Sequence, residues 1–372
     1  MKNIYFFGEK RPCQLTVVIP MFNVVCYVHE TLYSMLNNHP EHLQLIIVDD
    51  GSTDDSFMVA KQFLEKYSNK INSVLIKQNN KGLGASRNIG LTYATGEYVT
   101  FLDSDDFILP AGYMSCLDQM DRKTDLVIFR ASSFDQKTLK QWDFNDYMFW
   151  DVFMKDKKLA ITSVNSTPEV LSVEPSSCIK LYKLTWFLEN KFQFPENIFF
   201  EDCCLHFQSL LTAKSITLIN QKIYMYRVNR PGKITEQKSD SRFDMLKIAN
   251  MCLDENQSLT CSTKMVLLIH LIIRMSFWCS KFIVYNKRIM FYEQLSTIIT
   301  ENCSKQFINN FIRSPLIPVA HRYVMYLLKQ RDFNGLLRLS GNASNLIKLV
   351  LFCSKHLSPR EFFSLIKTKL VR

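Results

Sequence analysis

The sequence is poor in residues that interrupt regular structure. Its 372 residues hold only 10 Gly and 11 Pro, which excludes a collagen-like or low-complexity chain. The 11 Cys are odd in number and none are spaced C-x-x-C. No disulfide framework or zinc ribbon is indicated, and reduced, buried or incidental thiols in a cytosolic protein are expected. Long apolar runs are missing too. The most apolar, Met265–Ile273, is broken by His270 and followed by Arg274, whereas a membrane-spanning helix needs about 20 apolar residues. No transmembrane segment is therefore expected. Met1–Arg11 lacks the apolar stretch of a secretory signal. There is no G-x-S-x-G elbow, so a Ser-His-Asp nucleophile has no supporting context.

What is present reads as a folded protein. Apolar residues make up 47% of the chain and charged residues 22%, too apolar for a disordered segment. The length suits two or three domains. The net charge of +10 is unevenly placed: residues 311–372 carry 11 Lys/Arg against 2 Asp/Glu, and residues 1–310 are nearly neutral. In that tail, Leu346, Ile347, Leu349, Val350, Phe352, Phe362, Phe363, Ile366 and Leu370 interleave with Lys348, Lys355, Arg360, Lys367, Lys369 and Arg372. Two readings stand: amphipathic helices lying on an anionic membrane, or helices whose apolar face packs onto the rest of the protein. No nucleic-acid signature accompanies the charge, so nucleic acid is not an expected partner.

The N-terminal third alternates short apolar runs with helical spacing. Strands are predicted at Leu15–Ile19, Leu43–Val48, Ser73–Lys77, Glu97–Leu102 and Leu126–Phe129. Helices are predicted at Val24–Asn37, Ser56–Tyr67, Leu83–Ala94 and Ala111–Asp121. This alternation implies an α/β fold with a doubly wound, mostly parallel sheet, whose strand C-termini share one edge, where ligands bind. Residues 131–175 read as irregular and aromatic-rich. Ser177–Asn190 is expected to be partly helical, Cys203–Ala213 a helix and Ile216–Tyr226 a strand; beyond Ser239 the pattern is helical. The expected division is an α/β domain over 1–238, in two halves at about 14–130 and 131–238, then a basic helical region over 239–372.

Two acidic clusters end matched strands: Asp49-Asp50, and Asp103, Asp105 and Asp106. Grouped carboxylates repel unless a cation or donor offsets them, and hard oxygen ligands suit Mg²⁺ or Mn²⁺. The alternative is a pair of solvated turns, with Asp50-Gly51 as turn chemistry.

Four ordered motifs decide more: Val18-Ile-Pro-Met-Phe-Asn23, Val48-Asp-Asp-Gly-Ser-Thr-Asp54, Asn80-Lys-Gly-Leu-Gly-Ala-Ser-Arg-Asn-Ile-Gly90 and Phe101-Leu-Asp-Ser-Asp-Asp106. With Lys180-Leu-Tyr-Lys183, Phe199-Phe-Glu-Asp202, Tyr224-Met-Tyr-Arg227 and Ile234-Thr235, they resemble the family-2 inverting glycosyltransferases with the GT-A fold, over about residues 14–236. The resemblance implies that Pro20, Phe22 and Asn23 line the base and ribose and that Asp50 bonds the nucleobase edge. Ser52, Lys81 and Arg87 join the donor set. Asp103-Ser104-Asp105 becomes the DXD element, with Asp103 facing the ribose and Asp105 the metal that bridges the diphosphate. Asp202 becomes the base that deprotonates the acceptor hydroxyl, with Glu201 supporting its loop. Arg227 belongs to a flexible loop closing over the diphosphate. Phe22 stands where the family often has Tyr, which keeps a stacking face and removes a hydroxyl. Lys233 replaces a usual small residue and has no assigned role. Asp106 is read as a helix-start residue, with a helper role at the site as the alternative, and His206 as a core or surface histidine rather than a site residue.

The expected activity is transfer with inversion from a nucleotide sugar, UDP-linked by preference, to a growing glycan or lipid-linked oligosaccharide, as in O-antigen, capsule or lipopolysaccharide synthesis. The enzyme is expected in the cytoplasm, peripheral on the membrane. A non-catalytic nucleotide-sugar-binding scaffold is the main alternative. A nucleotidyltransferase fits less well, because Val18–Asn23 has no Lys or Arg to hold phosphate.

Overall fold

The computed structural model describes residues 3–38, 40–231, 239–259, 262–340, 352, 355–357 and 361. The chain forms two compact units, Met1–Lys233 and Ile234–Arg372.

The first unit is built on one mixed, mostly parallel sheet. Its strands are β1 (Asn3–Phe7), β2 (Leu15–Met21), β3 (Leu43–Asp49), β4 (Asn72–Lys77), β5 (Tyr98–Phe101), β6 (Phe107–Ile108), β7 (Leu126–Asp135), β8 (Gln141–Asp143), β9 (Leu159–Thr162), β10 (Lys180–Lys183) and β11 (Ile216–Val228). The order is β1-β4-β3-β2-β5-β10-β7-β11-β6, with β8 beside β7 and β9 beside β11. The four central strands β4-β3-β2-β5 are parallel. Every residue of β2 and β3 is buried, as strands covered on both faces require. Full burial of each Val, Ile or Leu contributes roughly 1.5–3 kcal/mol.

The helices connecting these strands are α1 (Val28–Leu36), α2 (Ser56–Lys66), α3 (Leu83–Leu91) and α4 (Gly112–Gln119). Helix α3 sits close against β2 because Gly90 has no side chain: a Cβ there would lie 2.3 Å from Val18 Cγ1. Because β2, β3 and β5 run the same way, the segments following Met21, Asp49 and Phe101 emerge on one edge.

Beyond β5 the expected layout needs correction. Residues 131–175 are more ordered than their pattern suggests, since they contain the end of β7, strands β8 and β9, and helix α5 (Tyr147–Phe153). These elements are short, and β9 and the end of β7 are held by pairing with the distant β11, so local periodicity is weak. The same holds for β1, which reads as a charged terminus and pairs antiparallel with β4. Ser177–Asn190 is a 3₁₀ turn at Ser177–Ile179, then β10, then helix α6 (Leu184–Glu189). The unit closes with helix α7 (Asp202–Thr212), which leads into β11.

In the second unit the described elements are helical: α8 (Asp244–Glu255), α9 (Thr263–Ser280), α10 (Arg288–Asn302), α11 (Lys305–Arg313), α12 (Val319–Gln330) and α13 (Phe333–Ser340). Among the described residues, α9 alone is long and apolar enough to cross a membrane by length and composition. It packs as a core helix against α8, α10 and α12. Most tail residues singled out in the sequence, and Lys233 and Ile234-Thr235, lie outside the described residues. Of the tail, Phe352 is buried against Tyr323 and Tyr326, and Glu361 pairs with Arg322 at 2.8 Å.

One pair in this unit makes it acid-sensitive. His270 Nε2 and His321 Nδ1 are 2.9 Å apart, and one ring nitrogen must be unprotonated to accept. Burial, then the neighbouring His321 and Arg274, push His270 down to about 3; burial and Arg274 push His321 down to about 4. The unfolded chain takes up protons below about pH 6.5 while the folded pair does not, so this stability is complete above that pH and is lost as pH falls toward 4. We expect urea unfolding of the full chain to show a loss of up to about 2 kcal/mol per histidine between pH 7 and pH 5. In H270L/H321L that component should be absent.

Candidate active site

The candidate site lies on the edge where the parallel strands end. Its first part is a clasp of loops around Asp50. The buried Asp50 carboxylate accepts from Gln78 Nε2 and the Lys81 backbone N–H at Oδ1, and from the Gly82 N–H at Oδ2, each at 2.8 Å. Asp50 thus fixes the loop that launches α3. Three protein donors leave an acceptor position on this carboxylate, which is compatible with the expected bond to a nucleobase edge. The turn between these loops needs Gly51, at φ 80°: a Cβ there would lie 3.0 Å from the Asn80 nitrogen. Asn23, itself left-handed at φ 51°, ties the clasp to β2. Its Oδ1 accepts from the Thr53 N–H at 2.8 Å, and its own N–H donates to Ser52 Oγ at 3.1 Å. Phe22 is exposed beside it, Pro20 is buried within β2, and the Lys81 side chain points to solvent.

The second part is a buried ion cluster around Arg87. Helix α3 carries Arg87 to the strand-end edge, where the side chain is 1% exposed. Nη1 donates to Glu201 Oε1 at 2.5 Å and to Asp202 Oδ1 at 2.6 Å; Nη2 donates to Asp103 Oδ1 at 3.0 Å. Arg87 was expected at the donor, and the structure turns its guanidinium onto three carboxylates. Burial lowers and the three carboxylates raise the guanidinium's proton affinity, and the net direction is upward. Burial pushes Asp103 upward and Glu201 up to about 7, with Arg87 opposing both. Phe200 precedes the pair at φ 67°, a conformation that costs a bulky residue of order 1 kcal/mol. It turns the chain so that Glu201 and Asp202 enter the cluster. Asp202 opens α7, where the helix N-terminus favours negative charge.

The third part lies at the β5–β6 corner, where two expectations change. Asp106 starts no helix. It is buried and accepts from the Tyr224 hydroxyl and, at 2.6 Å, from the Arg227 N–H, joining the corner to β11. Arg227 is not in a mobile loop: it belongs to β11 and is 1% exposed. Its Nε donates to the Asp105 carbonyl and its Nη2 to Glu30, each at 2.7 Å, and Nη1 donates to Gln136. The rings of Tyr27, Phe107 and Phe134 surround it. Ser104 is buried, and its carbonyl accepts from Thr31 Oγ1 at 2.9 Å. The Asp105 carboxylate pairs with Arg230, a residue the sequence did not point to; only the run of basic residues after β11 hints at it.

All the candidate metal donors here are carboxylate oxygens. Among the described residues no group of three His, Cys, Asp or Glu side chains is disposed to hold a metal ion. Asp103 and Asp105 fit a hard divalent ion that takes one or two carboxylates and completes its shell from substrate phosphates. His206 is buried in α7 with Nε2 3.2 Å from the Leu171 carbonyl, a core position.

Comparison with known proteins agrees with this geometry. Residues 16–173 match the family model described as glycosyl transferase family 2. The chain is 29% identical over 223 residues to Glycosyltransferase GlyA of Streptococcus pneumoniae, covering 58% of this chain and 31% of that one. It is 30% identical over 226 residues to the poly(ribitol-phosphate) beta-glucosyltransferase of Bacillus spizizenii, covering 59% of this chain and 33% of that protein. The chain thus spans about a third of the length of these relatives. A crystal structure of Staphylococcus aureus TarS in complex with UDP-GlcNAc superposes with a TM-score of 0.66 at 19% identity, covering 88% of this chain and 91% of that one. Strand-end carboxylates, a shared fold and the family match lead to one conclusion: the chain carries a glycosyl transferase family 2 domain on a GT-A fold.

Proposed function

We propose that the protein is a metal-dependent, inverting glycosyltransferase. It moves a sugar from a nucleotide sugar, UDP-linked by preference, to a hydroxyl of a surface glycan or a lipid-linked oligosaccharide. The observation that carries this reading is the Arg87 cluster, which holds one acid of the DXD element and the Glu201-Asp202 pair on a single guanidinium. Asp103 and Asp105 belong to the donor side of the reaction, and Asp202 to the acceptor side.

In this reading the Asn23–Ser52 clasp and the exposed Phe22 form the wall for the base and ribose. Asp105, with Asp103 beside it, is where Mg²⁺ or Mn²⁺ binds; a bound ion offsets charge developing on the departing diphosphate. Arg230 stands next to Asp105 and can turn from carboxylate to phosphate, since a guanidinium forks to either. Asp202 accepts the proton of the acceptor hydroxyl as that oxygen attacks the anomeric carbon from the face opposite the diphosphate. An α-linked donor then gives a β-linkage.

Relatives named for poly(ribitol-phosphate) glycosylation support a polyhydroxylated surface polymer as acceptor. The tail's positive charge supports a cytoplasmic enzyme that works against an anionic membrane; liposome flotation with and without residues 340–372 separates this from simple packing. The main test is a panel of nucleotide sugars scored for release of UDP or GDP with Mg²⁺, with Mn²⁺ and with EDTA. We expect release from one donor class that EDTA abolishes, and a loss of about 10²-fold or more in D105A. Nucleotide binding with no release on any donor would favour the scaffold reading.

A further inference from the structure

We propose that Ser177 is the positioning residue of the Asp202 base: it pins one carboxylate oxygen and leaves the other to face the acceptor. This rests on the reading of Asp202 as base. Ser177 Oγ donates to Asp202 Oδ1 at 2.5 Å, and Arg87 Nη1 reaches the same oxygen at 2.6 Å. Two donors from different elements thus converge on Oδ1. Among the described residues Oδ2 has no hydrogen bond, and the Asp202 side chain retains 20% exposure while Arg87 and Ser177 are about 1% exposed. The proton-accepting lone pairs are therefore confined to one oxygen on the open side. Charge-assisted bonds of this length are the strong kind, and two of them fix both the position and the rotation of the carboxylate.

The support behind Ser177 is built for rigidity. Ser177 opens a 3₁₀ turn whose cap, Ser176, accepts from the Cys178 N–H at 3.2 Å. The fully buried Lys180 ammonium donates to the carbonyls of Ser176 at 2.6 Å and Glu174 at 3.1 Å. Burying an ammonium is costly, and burial lowers Lys180 to about 8. These bonds anchor the backbone that presents Ser177. Tyr182, on the strand that follows, is buried as well.

Ser177 touches no reacting atom, so its removal is expected to act on turnover and not on donor binding. In S177A we expect kcat to fall about 10- to 100-fold, using the nucleotide sugar that scores in the panel above. Donor KM should change less than twofold, and S177T should restore most of the rate. S177A should add no further loss in a D202N background. A second readout needs no substrate. In full-length protein labelled with ¹³Cγ-aspartate, the Asp202 resonance is identified by its absence from D202N. It should move in S177A and return in S177T. An S177A protein with an unmoved Asp202 resonance and wild-type kcat overturns the proposal. A D202N protein with full activity overturns the base assignment itself, a failure distinguishable from the first because the resonance still reports whether Ser177 holds Asp202.

Discussion

Arg87→Met lowers the stability of the N-terminal unit by about 3–5 kcal/mol at pH 7.5, the expected cost of removing one partner from a buried charge cluster. The methionine fills much of the arginine stem's volume, so the effect is electrostatic in origin. Asp103, Glu201 and Asp202 remain on one edge with no cation between them. Burial already pushes Asp103 upward and Glu201 up to about 7, against the opposing pull of Arg87. Without Arg87 both rise further. A carboxyl whose folded value lies above its unfolded value stabilises the fold at low pH, and this stability is lost as pH rises through the folded value. The R87M deficit is therefore largest at pH 7.5 and shrinks by about 1–2 kcal/mol at pH 5. Urea midpoints for wild type and R87M at the two pH values check this. An equal deficit at both would mean that packing, and not charge, accounts for Arg87. R87K is not expected to rescue, because an ammonium cannot hold three carboxylates in the fixed fork of a guanidinium.

Asp202→Asn abolishes transfer while leaving the fold in place. The amide is close in shape to the carboxylate and accepts at its oxygen, and Arg87 keeps Asp103 and Glu201. On the proposed mechanism, what is lost is the proton acceptor. General-base catalysis contributes about 10²–10⁴-fold, so kcat should fall by that factor with donor binding unchanged. Initial rates on the productive donor, beside UDP titration by calorimetry, provide the check. A D202N protein that transfers at the wild-type rate would move the base elsewhere. The neighbouring candidate is then Glu201, 5% exposed and elevated by burial.

The fold was legible wherever the pattern is local. Leu15–Ile19 and Leu43–Val48 are continuous apolar runs, and the structure buries them on both faces as β2 and β3. The acidic clusters were legible because they close parallel strands, which places them on one edge whatever their distance in sequence. Long-range partners were not. Ser177 reads as the start of a partly helical stretch, and nothing in the sequence singles out Arg230. Asp106 follows an acid and precedes an apolar pair, which looks like a helix start; its bonds to Tyr224 and Arg227 depend on β11 returning beside β6. Arg227 shows the same limit: a loop assignment by resemblance could not foresee the cage of Tyr27, Phe107 and Phe134 around its guanidinium.

The charged contacts of the candidate site also join parts of the chain that are made far apart in time. Arg87 and Asp202 are 115 residues apart, Asp105 and Arg230 125, and Arg227 and Glu30 197. The segment matching the family, residues 16–173, contains none of Ser177, Glu201, Asp202 or Arg227. A ribosome adding about 5–20 residues per second therefore exposes the nucleotide half for seconds before the rest of the site exists. During that interval Arg87 and Asp103 have no acceptor-side partners, and the growing chain has no assembled base. A truncated product ending before β11 would carry the family signature without the Arg227 contacts.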